Sequence, residues 1–430
     1  MCGIVGFVDY KSISSHKGLQ HSTKTLKRRG PDDSGTFFNV KNNFTIGLGH
    51  RRLSILDLSK NGKQPMSYKG LKITYNGEVY NFRQVRSELI SCNYKFESDS
   101  DTEVILKAFH CWGPSSVNKF VGMFSYAIYS VEDEMIYLFR DRAGVKPLYY
   151  YIDENAFIFS SELKAIASSE CFNKRISHEG LTDFFVKGWI SGPYSIYENV
   201  YKLKPGTYAS YNISKKLFKV SEYWNILDFY KKQESSLSYL EALEKIEQLL
   251  KESLNYRMVS DVPVGTFLSG GYDSSLLTAL LVENGFNDLN TFTIGFSNLD
   301  YDESSYAKEI ANYLGTNHNE LVCSSKKIQE KINIYPDMFD EPFSDVSSIP
   351  MLLLSELARD KVKVSLSADG GDELFAGYEK YKIATEINNR YQNSFLRNIF
   401  SIFNQTLINK LNFPYGDFNI KANLFNRLGY

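Results

Sequence analysis

The chain has 430 residues, 43% of them hydrophobic, with 49 lysines plus arginines against 50 aspartates plus glutamates. That is core material for two or three domains of ~150 residues, and the even charge excludes the basic footprint of a protein that binds nucleic acid or an anionic membrane. Five cysteines without CxxC spacing predict a reducing, cytoplasmic setting and no structural metal.

The chain opens Met1-Cys2-Gly3-Ile4-Val5-Gly6. Removal of Met1 would leave Cys2 with a thiol and, on the same residue, an α-amine titrating near ~8 that can serve as its base. The apolar stretch Ile4 to Val8 lacks a basic flank and is interrupted by Asp9, so it reads as neither a signal peptide nor a membrane span. Alternating runs at Leu71–Tyr75, Met123–Tyr129 and Met135–Phe139 predict antiparallel strands, with helices over Phe82–Cys92 and Thr102–Trp112.

Three polar clusters interrupt this pattern: Arg28-Arg29-Gly30-Pro31-Asp32, Gly49-His50-Arg51-Arg52-Leu53-Ser54, and Tyr75-Asn76-Gly77-Glu78-Val79-Tyr80-Asn81. Singly each has a plain explanation, Asn-Gly being a common turn. Together with Cys2 they describe a thiol hydrolase acting on glutamine. The Asn76 amide and the Gly77 N–H would stabilise the tetrahedral oxyanion, Arg52 suits the α-carboxylate, and Asp101 with Glu78 suits the α-ammonium.

Cys2-Gly3-Ile4, Arg29-Gly30-Pro31-Asp32, Arg52-Leu53-Ser54, Asn76-Gly77-Glu78-Val79-Tyr80-Asn81 and Ser100-Asp101 resemble the class II glutamine amidotransferase domain, an α+β N-terminal-nucleophile αββα sandwich. The resemblance covers roughly the first half. It implies a catalytic Cys2, with Asn76 and Gly77 at the oxyanion, and a glutamine pocket of Arg52, Leu53, Ser54, Asn76, Gly77, Glu78 and Asp101.

Past Lys204-Pro205-Gly206 the alternation fades, and the polar stretch around Lys231-Lys232-Gln233-Glu234 reads as a linker. The expected division is 1–210 for the first domain, 211–237 for the linker and 238–430 for the second domain. Ser238 and Glu241 form a capping-box pattern, followed by Leu243, Ile246, Leu250 and Leu254 on one helical face. Val264 to Leu268 then runs as a strand into Ser269-Gly270-Gly271-Tyr272-Asp273-Ser274-Ser275 and an apolar helix, a pyrophosphate cradle by its backbone N–H groups. No Gly-Lys-Ser/Thr follows, so it is not the nucleoside-triphosphatase loop. A second strand enters Ser367-Ala368-Asp369-Gly370-Gly371-Asp372-Glu373. Asp273 and Asp372 at adjacent strand ends would hold Mg2+ against ATP phosphates. With Thr291–Phe296 as an intervening strand, the pattern is an open parallel sheet carrying its ligand at the carboxyl edge.

Ser-Gly-Gly-x-Asp-Ser resembles the loop of ATP-pyrophosphatases, an α/β open parallel-sheet, adenine nucleotide α-hydrolase-like fold. Joined to the first half, it makes the chain similar to glutamine-hydrolysing asparagine synthetases. The resemblance implies that an acceptor carboxylate is adenylated with loss of pyrophosphate, and that ammonia crosses an internal tunnel to displace AMP. It implies ATP binding by Phe267, Leu268, Ser269, Gly270, Gly271, Asp273, Ser274 and Ser275, with Ile294, Ser367, Ala368 and Asp369 flanking the nucleotide, and ATP and Mg2+ as cofactors. The expected acceptor is aspartate. Phe339-Asp340-Glu341-Pro342-Phe343-Ser344-Asp345 is nearer to a branch that includes sugar-acid amidotransferases, which makes a uronic acid the alternative. The family's late Arg-x-Pro-Phe-Leu-Asp motif and lysine are missing, so the synthetase domain is expected to be incomplete at its C-terminus. A homodimer, or a partner chain supplying that segment, is the corresponding expectation. A glutaminase with an inactive synthetase half and a non-catalytic relic are the other two classes.

Overall fold

A computed structural model describes residues 1–231, 235–296 and 302–391. Its first twelve strands are β1 (Gly3–Asp9), β2 (Asp33–Val40), β3 (Thr45–Arg52), β4 (Met66–Tyr68), β5 (Leu71–Val79), β6 (Gly122–Ser130), β7 (Met135–Arg140), β8 (Tyr149–Ile152), β9 (Ala156–Ser160), β10 (Val200–Lys202), β11 (Thr207–Asn212) and β12 (Leu217–Glu222). They form two six-stranded sheets, ordered β10-β8-β9-β1-β3-β2 and β12-β11-β7-β6-β5-β4. The pairings within both are antiparallel.

The period-2 alternation of a strand sets the layering. In β1, Ile4 and Val8 face the opposing sheet and pack with Leu138, Phe157 and Tyr211. Val5 and Phe7 point the other way, against Leu19 and Leu26 of the helical segment that starts at His16. Likewise Ile73, Tyr126 and Phe139 meet Val85, Leu89, Ile105 and Phe109 of helices Phe82–Ser91 and Asp101–Trp112. The result is helix on sheet on sheet on helix, as the resemblance implied.

The plain explanation of Asn76-Gly77 as a turn does not hold: β5 continues through both residues to Val79, pairing Asn76 with Ser125 and Gly77 with Phe124. The expected boundary at residue 210 falls inside β11, and β12 pairs with β11 from Asn212↔Leu217 to Thr207↔Glu222. The antiparallel unit therefore runs through Glu222.

The second half holds a parallel sheet of β13 (Val264–Phe267), β14 (Asn290–Phe296), β15 (Asn317–Cys323) and β16 (Val364–Leu366), ordered β15-β14-β13-β16. The chain leaves β13 toward β14 on one side and returns from β15 to β16 on the other. The carboxyl ends of β13 and β16 are therefore neighbours at the point where the winding reverses, which is where ligands bind in open α/β sheets. Helix Tyr239–Arg257 begins with the full capping box, Ser238 accepting from the Glu241 N–H and the Glu241 carboxylate accepting from the Ser238 N–H. Its Leu254 packs with Leu280, Leu281 and Leu289. Residues 392 to 430 of the expected second domain, and Lys232, Gln233 and Glu234 of the linker, lie outside the described residues.

Candidate active site

Cys2 sits one residue before β1, the strand held between β3 and β9. Its Sγ lies 3.4 Å from the Leu53 N–H, which donates to it, and 3.7 Å from the Leu53 carbonyl. Arg29 Nε donates to the Cys2 carbonyl at 2.8 Å. Burial pushes the thiol up, and the nearby α-amine pulls it back. That amine, here on Met1, is lowered to about 5, chiefly by burial, so it is neutral at pH 7.

Asn76 is fully buried on β5. Its Nδ2 reaches Ser125 Oγ at 3.4 Å, and its Oδ1 has no hydrogen-bond partner. Gly77 has φ +147°, and a Cβ there would stand 2.2 Å from the Met123 carbonyl, so β5 and β6 approach at a distance that only glycine allows.

Asp101 opens helix Asp101–Trp112, whose cap is Ser100. Its Oδ2 accepts the Tyr75 hydroxyl at 2.7 Å and the Val79 N–H at 2.9 Å. Burial outweighs these bonds and raises its carboxyl to about 6. Glu78 is raised to about 7, first by burial and then by the Asp101 charge. Two partly desolvated carboxylates side by side are a receptor for a cation.

Arg52 is buried and held in place by its own loop, Nη1 donating to the Ser59 carbonyl at 2.9 Å and Nη2 to the carbonyls of Leu56, at 3.3 Å, and Asp57, and the residue lines the same cavity as Cys2. Ser54 points its N–H at Asp32 Oδ2, 2.9 Å away. His50, next along β3, donates Nε2–H to the Tyr75 carbonyl at 3.0 Å and thereby bridges the two sheets. Burial lowers its pKa to about 3, which keeps it neutral.

A cavity of about 920 Å3 is lined at one end by Cys2, Asn76 and Asp101 and at the other by Asp273, Ser367 and Asp369. Leu254, Leu277, Leu280 and Val364 are among the residues that line it too. Several contacts join the halves around it. Lys363, just before β16, pairs with Asp32 at 3.0 Å, and the Asp57 N–H donates to Asp261 Oδ2 at 2.8 Å.

Of the nucleotide residues read from the sequence, Phe267, Asp273, Ser367, Ala368 and Asp369 line this cavity. Ser269, Gly270 and Gly271 form the turn before helix Tyr272–Glu283, with Ser269 Oγ 3.0 Å from Ser274 Oγ, and Ser275 Oγ donating to the Gly271 carbonyl at 2.7 Å. Leu268 is a correction: its side chain is buried against Ala307 and Ala311, so a nucleotide would meet only its backbone. Ile294 lies in β14, half-buried and away from the cavity lining.

A Cβ on Gly371 would stand 2.7 Å from Asp273 Oδ2, so the first acidic turn touches the residue preceding Asp372. Among the described residues no group of three or more His, Cys, Asp or Glu side chains gathers as a metal site. The described residues thus offer a pair of carboxylates, which suits a magnesium ion that takes its other ligands from phosphates and water.

Sequence reasoning missed Lys146. Its Nζ reaches Met1 Sδ at 3.0 Å, and burial lowers its pKa. The signal was Asp141, whose carboxylate accepts the Val145 and Lys146 N–H groups at 2.9 Å and folds the intervening loop toward Cys2.

Residues 1–224 match the glutamine amidotransferase domain family and residues 245–415 the asparagine synthase family. The putative asparagine synthetase [glutamine-hydrolyzing] 2 of Methanocaldococcus jannaschii is 38% identical over 421 residues, covering 93% of this chain and 78% of the relative. Asparagine synthetases [glutamine-hydrolyzing] 3 and 1 of Bacillus subtilis are each 32% identical, covering 89% of this chain and 64% and 60% of their own lengths. The chain belongs to the glutamine-hydrolysing asparagine synthetase family.

Proposed function

We propose that this chain hydrolyses glutamine at Cys2 and delivers the ammonia to a carboxylate activated by ATP in the second half, with aspartate as acceptor and asparagine as product. The observation that carries the reading is the single cavity between Cys2 and the two glycine turns.

In the first half-reaction, Asp101 and Glu78 receive the α-ammonium of glutamine and Arg52 the α-carboxylate. With Met1 removed, the α-amine of Cys2 takes the thiol proton and the sulfur attacks the side-chain amide. Asn76 Nδ2 and the Gly77 N–H hold the oxyanion, ammonia leaves, and water resolves the thioester to glutamate. Ser125 takes only one long bond, 3.4 Å, from this amide, and Oδ1 has no partner, so the hydrogen-bonding capacity of Asn76 is left largely unfilled by the protein.

Leu254, Leu277 and Leu280 give ammonia an aliphatic stretch of the cavity wall to pass. In the second half-reaction, N–H groups and hydroxyls of Ser269 to Ser275 hold the pyrophosphate portion of ATP while the acceptor oxygen attacks the α-phosphorus. Asp273 and Asp372 would hold Mg2+, which supplies charge neutralisation to the phosphates. Ser367, Ala368 and Asp369 flank the nucleotide. Ammonia displaces AMP from the acyl-adenylate.

Cys2→Ala is expected to reduce glutamine hydrolysis to background, while ATP and aspartate with ammonium salt as nitrogen source still release pyrophosphate. Glutaminase turnover by Cys2→Ala, or by protein shown by mass spectrometry to keep Met1, would defeat the reading. Pyrophosphate release with a uronic acid in place of aspartate would reassign the acceptor alone.

A further inference from the structure

A run of polar contacts leads from Cys2 to the other half of the molecule. Arg29, whose Nε holds the Cys2 carbonyl, pairs through Nη1 with Glu162 Oε1 at 3.1 Å. Glu162 Oε2 lies 3.3 Å from Lys164 Nζ, and the same Nζ lies 3.2 Å from Asp340 Oδ1. Asp340 Oδ2 accepts the Leu163 N–H at 2.6 Å. These side chains are largely covered, from 9% exposed at Asp340 to 27% at Lys164. Asp340 lies between helices Tyr335–Met338 and Ser348–Arg359, and the latter contributes Ser355, Ala358 and Arg359 to the cavity wall.

We propose that Asp340 is a positioning residue for the Cys2 nucleophile, acting through Lys164, Glu162 and Arg29, so that glutamine hydrolysis depends on how the second half seats residues 339–345. This rests on Cys2 being the nucleophile. The reason is competition for charge: Lys164 is shared by two carboxylates, and Glu162 is shared by two cations. Lys164 Nζ also donates to the Asp337 carbonyl at 2.9 Å, so removing the Asp340 charge leaves Glu162 as its one carboxylate partner and draws Glu162 away from Arg29. Arg29 then loses the partner that aims Nε at the Cys2 carbonyl, and the thiol, three bonds from that residue's backbone carbonyl carbon, moves with it. Attack needs the reacting atoms held to about 3–3.5 Å, so a small displacement is costly.

The neighbouring residue provides the control. Glu341 fastens the same segment to Lys202, and the Ser344 N–H donates to the Gly188 carbonyl at 2.8 Å, but neither contact leads to Arg29. A segment that only holds the halves together would feel the loss of Asp340 and Glu341 alike.

The test uses the full chain. Asp340→Asn keeps an oxygen for the Leu163 N–H and removes the charge. It is expected to lower kcat for glutamine hydrolysis about tenfold with KM within about twofold, whereas Glu341→Gln leaves kcat within about twofold. Lys164→Gln should match Asp340→Asn, and the double variant should lose little more, because the residues act as one unit. The rate of Cys2 alkylation by iodoacetamide, followed on the N-terminal peptide by mass spectrometry, should fall in the same order. Equal losses in the Asp340 and Glu341 variants, or no loss in either, overturn the proposal. If the wild-type chain does not hydrolyse glutamine, the functional reading fails by itself, and the alkylation rates still decide the relay. Should Asp340→Asn not fold, Lys164→Gln against Glu341→Gln decides it in the same way.

Discussion

The two ends of the cavity are built differently. At the glutamine end the polar groups are side chains locked inside the sandwich, with Asn76 at 0%, Asp101 at 5% and Arg52 at 7% exposure. At the nucleotide end the turns stand open, with Tyr272 at 96% and Leu374 at 76%. The first site is aimed before its ligand arrives. The second offers backbone N–H groups and carboxylates that a phosphate chain would bring into register. Binding energy is thus available for chemistry at the first end and is partly spent on ordering at the second.

The sharpest way to break this contrast is Asn76→Ala. If the amide is pre-aimed at the oxyanion, kcat for glutamine hydrolysis falls about a hundredfold, ~3 kcal/mol of transition-state stabilisation, with KM little changed. A rise in KM at constant kcat would mean that Asn76 only binds substrate.

At the other end, Asp273→Asn is expected to weaken Mg·ATP binding about tenfold by calorimetry, because it removes one of two carboxylates near the phosphates. Glutaminase kcat should stay within about twofold in the same variant. Unchanged ATP affinity would remove Asp273 from the site.

The smallest effect sharpens the comparison through pH. Burial raises Asp101 to about 6 and Glu78 to about 7, so both are neutral at pH 5 and ionised by pH 8. The α-ammonium of glutamine gains its counter-charge as pH rises through that window. KM for glutamine should therefore fall several-fold from pH 5.5 to 7.5 and then level off. A KM flat across this range would place the α-ammonium elsewhere.

The same contrast explains what could be read from the sequence. β5, β6 and β7, helix Asp101–Trp112 and the Ser238–Glu241 capping box rest on local periodicity and fixed offsets, and they appear where expected. Cys2, Asn76 and Asp101 were linked by the chemistry that glutamine demands, and the cavity contains all three. β12 escaped because none of its residues is buried and two of its three apolar side chains, Leu217 and Val220, are exposed on this edge strand, so no buried face alternates with a polar one. The side-chain burial of Leu268 was hidden because a strand end and a core position look alike until the helix Ser304–Leu314 lands on it. Asp340 could not be connected to Leu163 at all, since 177 residues separate them and no periodicity spans such a distance.

Cys2 precedes β1 directly, and β1 is hydrogen-bonded on both sides, Gly3 opposite Arg51 and Val5 opposite both Gly49 and Ser160. A strand in that position opens only when the whole sandwich opens. The nucleophile's placement is therefore as durable as the domain itself: on heating, glutaminase activity disappears with the sandwich in one cooperative step, and the Cys2 thiol becomes freely alkylated in the same step. The exposed turns after β13 and β16 can fray at lower temperature without disturbing it.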